Sequence, residues 1–201
     1  MKRKRDTGGV RVVSCAELPT RFGRFTVVGI QGRAPEEEAL AILHGPVEQT
    51  SAPLVRVHSQ CLTGDVFASQ RCDCRAQLEF SLRKIAREPA GVVLYLPQEG
   101  RGIGLINKLR AYELQDEGLD TVEANRRLGF AADSRDYDFA AAALRALGVR
   151  SVRLLSNNPD KIKQLERGGI RVVQRVPCRP RTSHHSRAYL RTKQRKMGHL
   201  R

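Results

Sequence analysis

Short segments with strand-like patterns occupy the first half of the chain. Segments 10–15 and 24–31 are rich in β-branched residues, and Pro19 and Gly23 between them indicate a turn. We therefore predict that these two segments form a hairpin. Two further strands are predicted over segments 38–46 and 53–59. The N-terminal half is thus expected to be β-rich.

The second half alternates between helical spacing and short apolar runs. Leu78, Leu82 and Ile85 recur at helical spacing within segment 76–88, and the continuous apolar run 91–96 is typical of a buried strand. The remaining predicted elements are helices over 105–117, 136–147 and 159–168, and strands over 152–155 and 170–176. This alternation predicts an α/β fold with a mixed sheet and flanking helices.

The charge is concentrated at the two ends of the chain. The chain has 201 residues, 40% of them hydrophobic, and a formal net charge of +15. Residues 1–11 carry five Lys/Arg and one Asp (+4), and residues 178–201 carry eight Lys/Arg and no acid (+8), which leaves +3 for residues 12–177. We predict one domain over residues 1–201, with basic tails at about 1–9 and 178–201.

The amino-acid composition indicates which partners and which cellular compartment to expect. Basic tails add non-specific affinity for polyanions, but aromatic residues make up only 5% and Trp is absent, so a specific nucleic-acid partner is not expected. A zinc-stabilised nucleic-acid-binding module is the alternative class. Without a run of 18 apolar residues, no membrane span is expected. Five cysteines favour a reducing compartment, and we expect a cytoplasmic location.

Three of the cysteines, Cys61, Cys72 and Cys74, lie close together in the chain. Their spacing does not fit paired Cys-x-x-Cys fingers or a thioredoxin motif. Three thiolates with an open fourth position are typical of catalytic zinc, which activates water for attack on a ring carbon in nucleobase deaminases. The alternative is that they are inert buried cysteines. His58 is either a fourth ligand of a structural site or a hydrogen-bonded neighbour.

Two later segments are candidates for anion binding. The glycine-rich segment 98–104 allows close approach of the backbone to a ligand, and Arg101 adds a donor for phosphate. It matches neither a Walker loop nor a Rossmann fingerprint, so an ordinary turn explains it equally well. Ser156 and Lys161 flank an Asn-Asn-Pro sequence before a predicted helix, where simple capping is the alternative.

Three further side chains are candidates for catalysis. Asp133 and Arg135 can flank one ligand, or they can form a surface ion pair of little energetic value. Tyr112 lies on the helix predicted after the glycine-rich segment and could supply a phenol or pack at the edge of the core.

Together, the ordered motifs resemble one family. They are Arg-Val-His-Ser-x-Cys-Leu-Thr-Gly-Asp, Arg-Cys-Asp-Cys, Gln-Glu-Gly-Arg-x-Ile-Gly-Leu, Asp-Thr-Val-Glu-Ala-Asn, Leu-Gly-Phe-Ala-Ala-Asp-x-Arg-Asp and Asn-Asn-Pro-x-Lys. In this order they closely resemble GTP cyclohydrolase II, the zinc enzyme that opens riboflavin biosynthesis. The resemblance extends from about residue 12 to the final Lys-Met-Gly-His-Leu.

The resemblance implies a homodimer with one Zn²⁺ per subunit and Mg²⁺. The implied reaction converts GTP to 2,5-diamino-6-(5-phosphoribosylamino)pyrimidin-4(3H)-one, formate and pyrophosphate. Zinc would be held by Cys61, Cys72 and Cys74. The residues implied to contact GTP are Arg56, Val57, His58, Ser59, Gln60, Gln77, Glu99, Gly100, Arg101, Thr121, Ser156 and Lys161.

Specific roles also follow from the resemblance. Asp133 would accept a proton, Arg135 would attack the α-phosphorus, and Tyr112 would assist steps at the imidazole ring. Because arginine is effectively always protonated, we expect Arg135 to stabilise phosphoryl charge rather than to act as a nucleophile. Gln77 and Glu99 are suited to read the guanine edge, which would favour GTP over ATP.

The chain departs from the usual family pattern at three positions. Gln60 stands in place of Glu, Arg75 in place of Gly and Ser156 in place of Thr. The first two changes are expected to raise the positive potential near the cysteines. They leave open a specialised paralogue that stops at the formylamino-pyrimidine, although retention of Tyr112 favours complete deformylation.

Overall fold

The computed structural model describes residues 6–7, 9–34, 36–131, 133–180, 198 and 200. The strands in this part are β1 (Asp6–Thr7), β2 (Val10–Thr20), β3 (Gly23–Gln31), β4 (Glu38–His44), β5 (Leu54–Ser59), β6 (Gly91–Leu96), β7 (Ser151–Leu155) and β8 (Arg171–Val176). The α-helices are α1 (Leu62–Asp65), α2 (Cys74–Ile85), α3 (Leu105–Asp116), α4 (Thr121–Arg127), α5 (Asp138–Ala146) and α6 (Pro159–Arg167), and two short 3-10 turns cover Val47–Gln49 and Glu99–Gly102.

The strands of the described residues form one sheet in the order β1-β2-β3-β4-β6-β5-β7-β8. The neighbours from β1 to β4, and β4 with β6, are antiparallel. The pairs β5–β7 and β7–β8 are parallel. The predicted α/β fold, with a mixed sheet, flanking helices and a β-rich N-terminal half, is therefore confirmed.

The chain divides into two compact units. The first, here called the sheet unit, comprises the described residues within Met1–His58, Glu79–Pro97 and Asp136–Cys178. The second, here called the cysteine unit, comprises those within Ser59–Leu78, Gln98–Arg135 and Arg179–Arg201. The sheet belongs to the sheet unit, apart from Ser59 at the end of β5. The single domain predicted from the sequence stays a prediction.

Small side chains allow the helices of the sheet unit to pack closely. Four alanines of α5 are buried, and the helix contacts both β2 and α6. A Cβ on Gly168, just after α6, would lie only 2.4 Å from the Cβ of Ala141. Helix α6 begins as the sequence predicts, because the Asn158 side chain caps it and Pro159 occupies its first turn.

The fully buried Leu144 of α5 offers a test of this core. We expect Leu144→Ala to lower the free energy of unfolding by about 3 kcal/mol, because it removes packed methyl groups and leaves a cavity. Urea denaturation would measure the change. Leu40→Ala, at a side chain that is 50% exposed, is the matched control and is expected to stay within about 0.5 kcal/mol of the parent.

The predicted elements are present, and the differences lie at their ends, in the two-residue strand β1 and in two short α-helices. Strand β2 continues to Thr20 through Pro19, which pairs with Arg24 of β3. Proline is tolerated there because the other neighbour of β2, β1, pairs only with Val10 and Arg11 in the described residues. Helices α1 and α4 were not predicted, since neither has a long apolar period.

Most of the two predicted basic tails lies outside the described residues. Asp6–Thr7 forms a strand, and Cys178 is buried, with its backbone bonded through both N–H and C=O to the Asn157 side chain. Within the described part of the chain, no helix combines the length and hydrophobicity needed to cross a bilayer.

Candidate functional site

The three predicted cysteine ligands converge in the cysteine unit. Cys61 follows β5, Cys74 is the first residue of α2, and Cys72 lies two residues before that helix. Their sulfur atoms all lie within 4.8 Å of one another, and those of Cys61 and Cys72 are 3.6 Å apart. Tetrahedral zinc with bonds of about 2.3 Å separates its sulfur ligands by about 3.8 Å, so the cluster is suited to that metal.

A glycine keeps space open beside the sulfur atoms. A Cβ on Gly64 of α1 would lie 2.9 Å from the Cys72 Sγ and 3.1 Å from the Cys61 Sγ. The same short helix fixes Cys61, because the Asp65 carboxylate accepts a hydrogen bond from the Cys61 N–H at 3.0 Å. The backbone is thus arranged around the sulfurs without a side chain filling the space between them.

The three thiols influence one another's protonation. Hydrogen bonds from Cys72 and Cys74, with the positive charge of Lys108, lower the pKa of Cys61 far below its ordinary value. The hydrogen bond to Cys61, together with burial, raises the pKa of Cys72 to about 11. The same causes raise the pKa of Cys74. Without a cation the cluster thus favours one thiolate beside two thiols, and a bound cation would favour ionisation of the other two.

A buried ion pair that the sequence did not predict lies against the cluster. The Lys108 ammonium on α3 donates to the Cys61 Sγ at 3.2 Å and to the Glu99 Oε1 at 2.8 Å. The Glu99 carboxylate also accepts the N–H groups of Leu62 at 2.6 Å and Gly100 at 2.7 Å. Burial opposes the charge of Lys108, but Glu99 and Cys61 outweigh it and raise the pKa of the ammonium.

The predicted Tyr112 projects from the same face of α3 as Lys108, one helical turn later. Its hydroxyl lies 3.2 Å from the Thr63 hydroxyl, and the Arg71 guanidinium lies 4.8 Å from the ring centroid. Arg71 is held in turn by Asp116 through two hydrogen bonds of 2.6 and 2.8 Å. Burial raises the pKa of Tyr112, so the phenol is neutral around pH 7.

The glycine-rich segment forms a left-handed turn rather than a regular helix start. Gly100, Arg101 and Gly102 have φ angles of 62°, 64° and 92°. The Arg101 carbonyl accepts the Ser134 N–H at 3.2 Å, and a Cβ on Gly102 would meet the Ser134 oxygen at 3.0 Å. Arg101 is not a glycine, so this backbone is strained at that position.

This turn brings Arg101 towards the predicted Asp133–Arg135 pair. The Arg135 guanidinium donates to both oxygens of Asp133, at 2.8 Å from Nε and 2.5 Å from the terminal nitrogen. Burial opposes ionisation of Asp133, but hydrogen bonding and charge from Arg135, with a contribution from Arg101, lower the pKa of the carboxyl. The pair is half-buried and bidentate rather than a surface contact.

Several predicted residues belong to the sheet unit, where they are buried. The Lys161 ammonium donates to the Val57 carbonyl at 2.8 Å and lies 4.8 Å from the Tyr137 ring centroid. His58 stacks on Tyr95 with ring centroids 5.5 Å apart. The predicted residues in the sheet unit are Arg56, Val57, His58, Ser156 and Lys161. The others, in the cysteine unit, are Ser59, Gln60, Cys61, Cys72, Cys74, Gln77, Glu99, Gly100, Arg101, Tyr112, Thr121, Asp133 and Arg135.

Comparison with known proteins finds relatives that are named riboflavin biosynthesis proteins. Riboflavin biosynthesis protein VVA0006 of Vibrio vulnificus (strain YJ016) is 53% identical over 191 residues, 95% of this chain and 52% of that protein. Riboflavin biosynthesis protein RibBA of Bacillus velezensis is 56% identical over 184 residues, 91% of this chain and 46% of that protein. The chain thus spans about half the length of these curated relatives.

A third relative is similar over nearly its whole length. GTP cyclohydrolase-2 of Azotobacter vinelandii (strain DJ) is 53% identical over 188 residues, 94% of this chain and 90% of that protein. A sequence model described as GTP cyclohydrolase II matches residues 10–177, which include all of the predicted site residues. The chain therefore belongs to the GTP cyclohydrolase II family.

Proposed function

We propose that this chain catalyses the GTP cyclohydrolase II reaction and opens riboflavin biosynthesis. The products would be 2,5-diamino-6-(5-phosphoribosylamino)pyrimidin-4(3H)-one, formate and pyrophosphate. The observation that carries this proposal is the convergence of Cys61, Cys72 and Cys74 around the space left by Gly64, within a chain of this family. Three ligands suit a catalytic metal, whereas a closed structural site has four.

The three cysteines would hold one Zn²⁺ per subunit. When bound, zinc supplies a water activated at neutral pH for attack on a ring carbon. The neutral phenol of Tyr112, oriented by Thr63, can donate a hydrogen bond or a proton as the imidazole ring opens. The ionised Asp133 can accept a proton, and Arg135 holds that carboxylate in one orientation.

The cationic residues would bind the triphosphate together with Mg²⁺. Arg101 and Arg135, both in the cysteine unit, carry positive charge suited to phosphate oxygens. Arg135 stabilises phosphoryl charge in this proposal. A homodimer and a cytoplasmic location are further parts of the proposal, the latter supported by five free thiols.

The proposal is tested by incubating zinc-loaded protein with GTP and Mg²⁺ and identifying the products by mass spectrometry. Diaminopyrimidine phosphate with formate and pyrophosphate is the expected result. Accumulation of the formylamino-pyrimidine would instead indicate the specialised paralogue suggested by Gln60 and Arg75. Binding of zinc without any turnover would overturn the proposed activity.

The space beside the sulfurs leads to a separate prediction. We expect Gly64→Ala to weaken zinc binding by about tenfold to a hundredfold, because its methyl group would overlap the Cys72 sulfur and force the ligands apart. Competition with a chromogenic chelator would measure the affinity. The overlap exists without metal as well, so the metal-free protein should unfold at a somewhat lower temperature, which thermal denaturation would measure separately. Unchanged zinc affinity would contradict the prediction.

A further inference from the structure

Lys108 stands out because no role described so far requires it. Its side chain is 9% exposed, and its ammonium bridges the Glu99 carboxylate and the Cys61 sulfur. A lysine is seldom buried unless its charge is balanced. The position on α3 is not an accident of surface packing, because the ammonium reaches a metal-ligand sulfur and a carboxylate together.

Glu99 explains how the ammonium is held in place. Both oxygens of its carboxylate accept hydrogen bonds from the protein: Oε2 from the Leu62 N–H, and Oε1 from the Gly100 N–H and Lys108. Leu62 is the residue after Cys61, so the carboxylate fixes the backbone at the ligand as well as the cation beside it. These contacts direct the Glu99 side chain towards the cysteines.

The charges favour this arrangement. A divalent zinc ion and three thiolates together carry one net negative charge. The Lys108 ammonium lies between the Cys61 sulfur and the Glu99 carboxylate and so separates these two negative groups, and two backbone N–H groups also donate to Glu99. A charge-assisted hydrogen bond to sulfur lowers the electron density of the thiolate and restrains its position.

We propose that Lys108 is a positioning residue of the metal centre, held by Glu99, that donates to the Cys61 thiolate and makes it less electron-rich and less reactive. The Glu99 side chain thereby acts on the metal centre. The inference rests on the proposed zinc site, and it is independent of whether GTP is turned over.

The test uses the full chain loaded with Co²⁺, whose thiolate-to-metal charge-transfer bands report the electron density on sulfur. We expect Lys108→Met to shift these bands to lower energy and to accelerate alkylation of Cys61 by iodoacetamide about tenfold, through loss of one charge-assisted hydrogen bond. Peptide mass spectrometry would assign the alkylated cysteine. Lys108→Arg should restore most of both properties. Arg110→Met removes an exposed cation from the same helix and is the matched control.

A second variant distinguishes between two roles of Glu99, holding Lys108 at the metal centre and recognising guanine. We expect Glu99→Gln to shift the cobalt bands in the same direction as Lys108→Met, with the preference for GTP over ITP unchanged, because ITP lacks only the 2-amino group of guanine. Unchanged bands and alkylation rate in Lys108→Met, even with lowered thermal stability, would overturn the proposal. So would a lost GTP preference in Glu99→Gln without a spectral shift. A parent protein that binds Co²⁺ without thiolate bands would refute the cysteine metal site itself, whatever its activity.

Discussion

Cys72→Ala is expected to abolish GTP turnover and to leave the purified protein without zinc. A structural zinc site contributes about 10–16 kcal/mol, so loss of one of three protein ligands corresponds to about a thousandfold in zinc affinity. Cys72 is only partly buried, which limits the cost of the substitution to folding. Elemental analysis and the rate of pyrimidine formation would measure the two effects in one preparation.

The matched control is Cys15→Ala, at the exposed cysteine of β2. It also removes one thiol from the chain, and we expect it to retain zinc and activity. A Cys72→Ala protein that keeps full zinc content would show that the metal lies elsewhere. Loss of activity in both variants would point to a general sensitivity to cysteine replacement.

Asp133→Asn is expected to lower kcat by about a hundredfold to ten-thousandfold, the usual range for a group that transfers a proton. The amide preserves the size of the side chain but cannot accept a proton, and it retains only part of the bidentate contact with Arg135. KM for GTP should change much less. Steady-state kinetics would separate the two constants, and a large rise in KM at constant kcat would assign Asp133 to binding.

The ion pair between Asp133 and Arg135 also predicts how the activity depends on pH. Arg135 lowers the pKa of Asp133, so the carboxylate stays ionised to unusually low pH in the parent protein. Arg135→Gln should raise that pKa, and the acid limb of kcat/KM should move to higher pH. Arg127→Gln, at an exposed residue of α4, should leave the profile in place.

The order and type of the long elements were predictable because each has a strong local pattern. The run over β6 is apolar on both faces, and α6 has both a cap and proline in its first turn. Helix α4 was missed although Asp120 and Glu123 form a capping box, because its short sequence has no apolar period. Pro19 obscured the length of β2, since proline is compatible with a strand only where a neighbour is missing.

The candidate ligands were predictable from residue type and order, whereas the surrounding contacts were not. Cysteines are the ligands that zinc prefers, and Cys61, Cys72 and Cys74 converge as expected. Lys108 could not be identified in the same way. Its only signal is a helical spacing of four from Tyr112, and its importance depends on a carboxylate and a sulfur that distant parts of the chain provide.

The left-handed turn at Gly100, Arg101 and Gly102 has a consequence for the entropy of ligand binding. An arginine in a flexible loop loses backbone freedom when it captures an anion. Here folding has already fixed the backbone of Arg101, at a conformational cost of about 1 kcal/mol that the free protein carries. Because the backbone is already fixed, less conformational entropy is lost when an anion binds. The strength of anion capture then depends on how rigidly Ser134 holds the turn, as well as on the charge of the guanidinium.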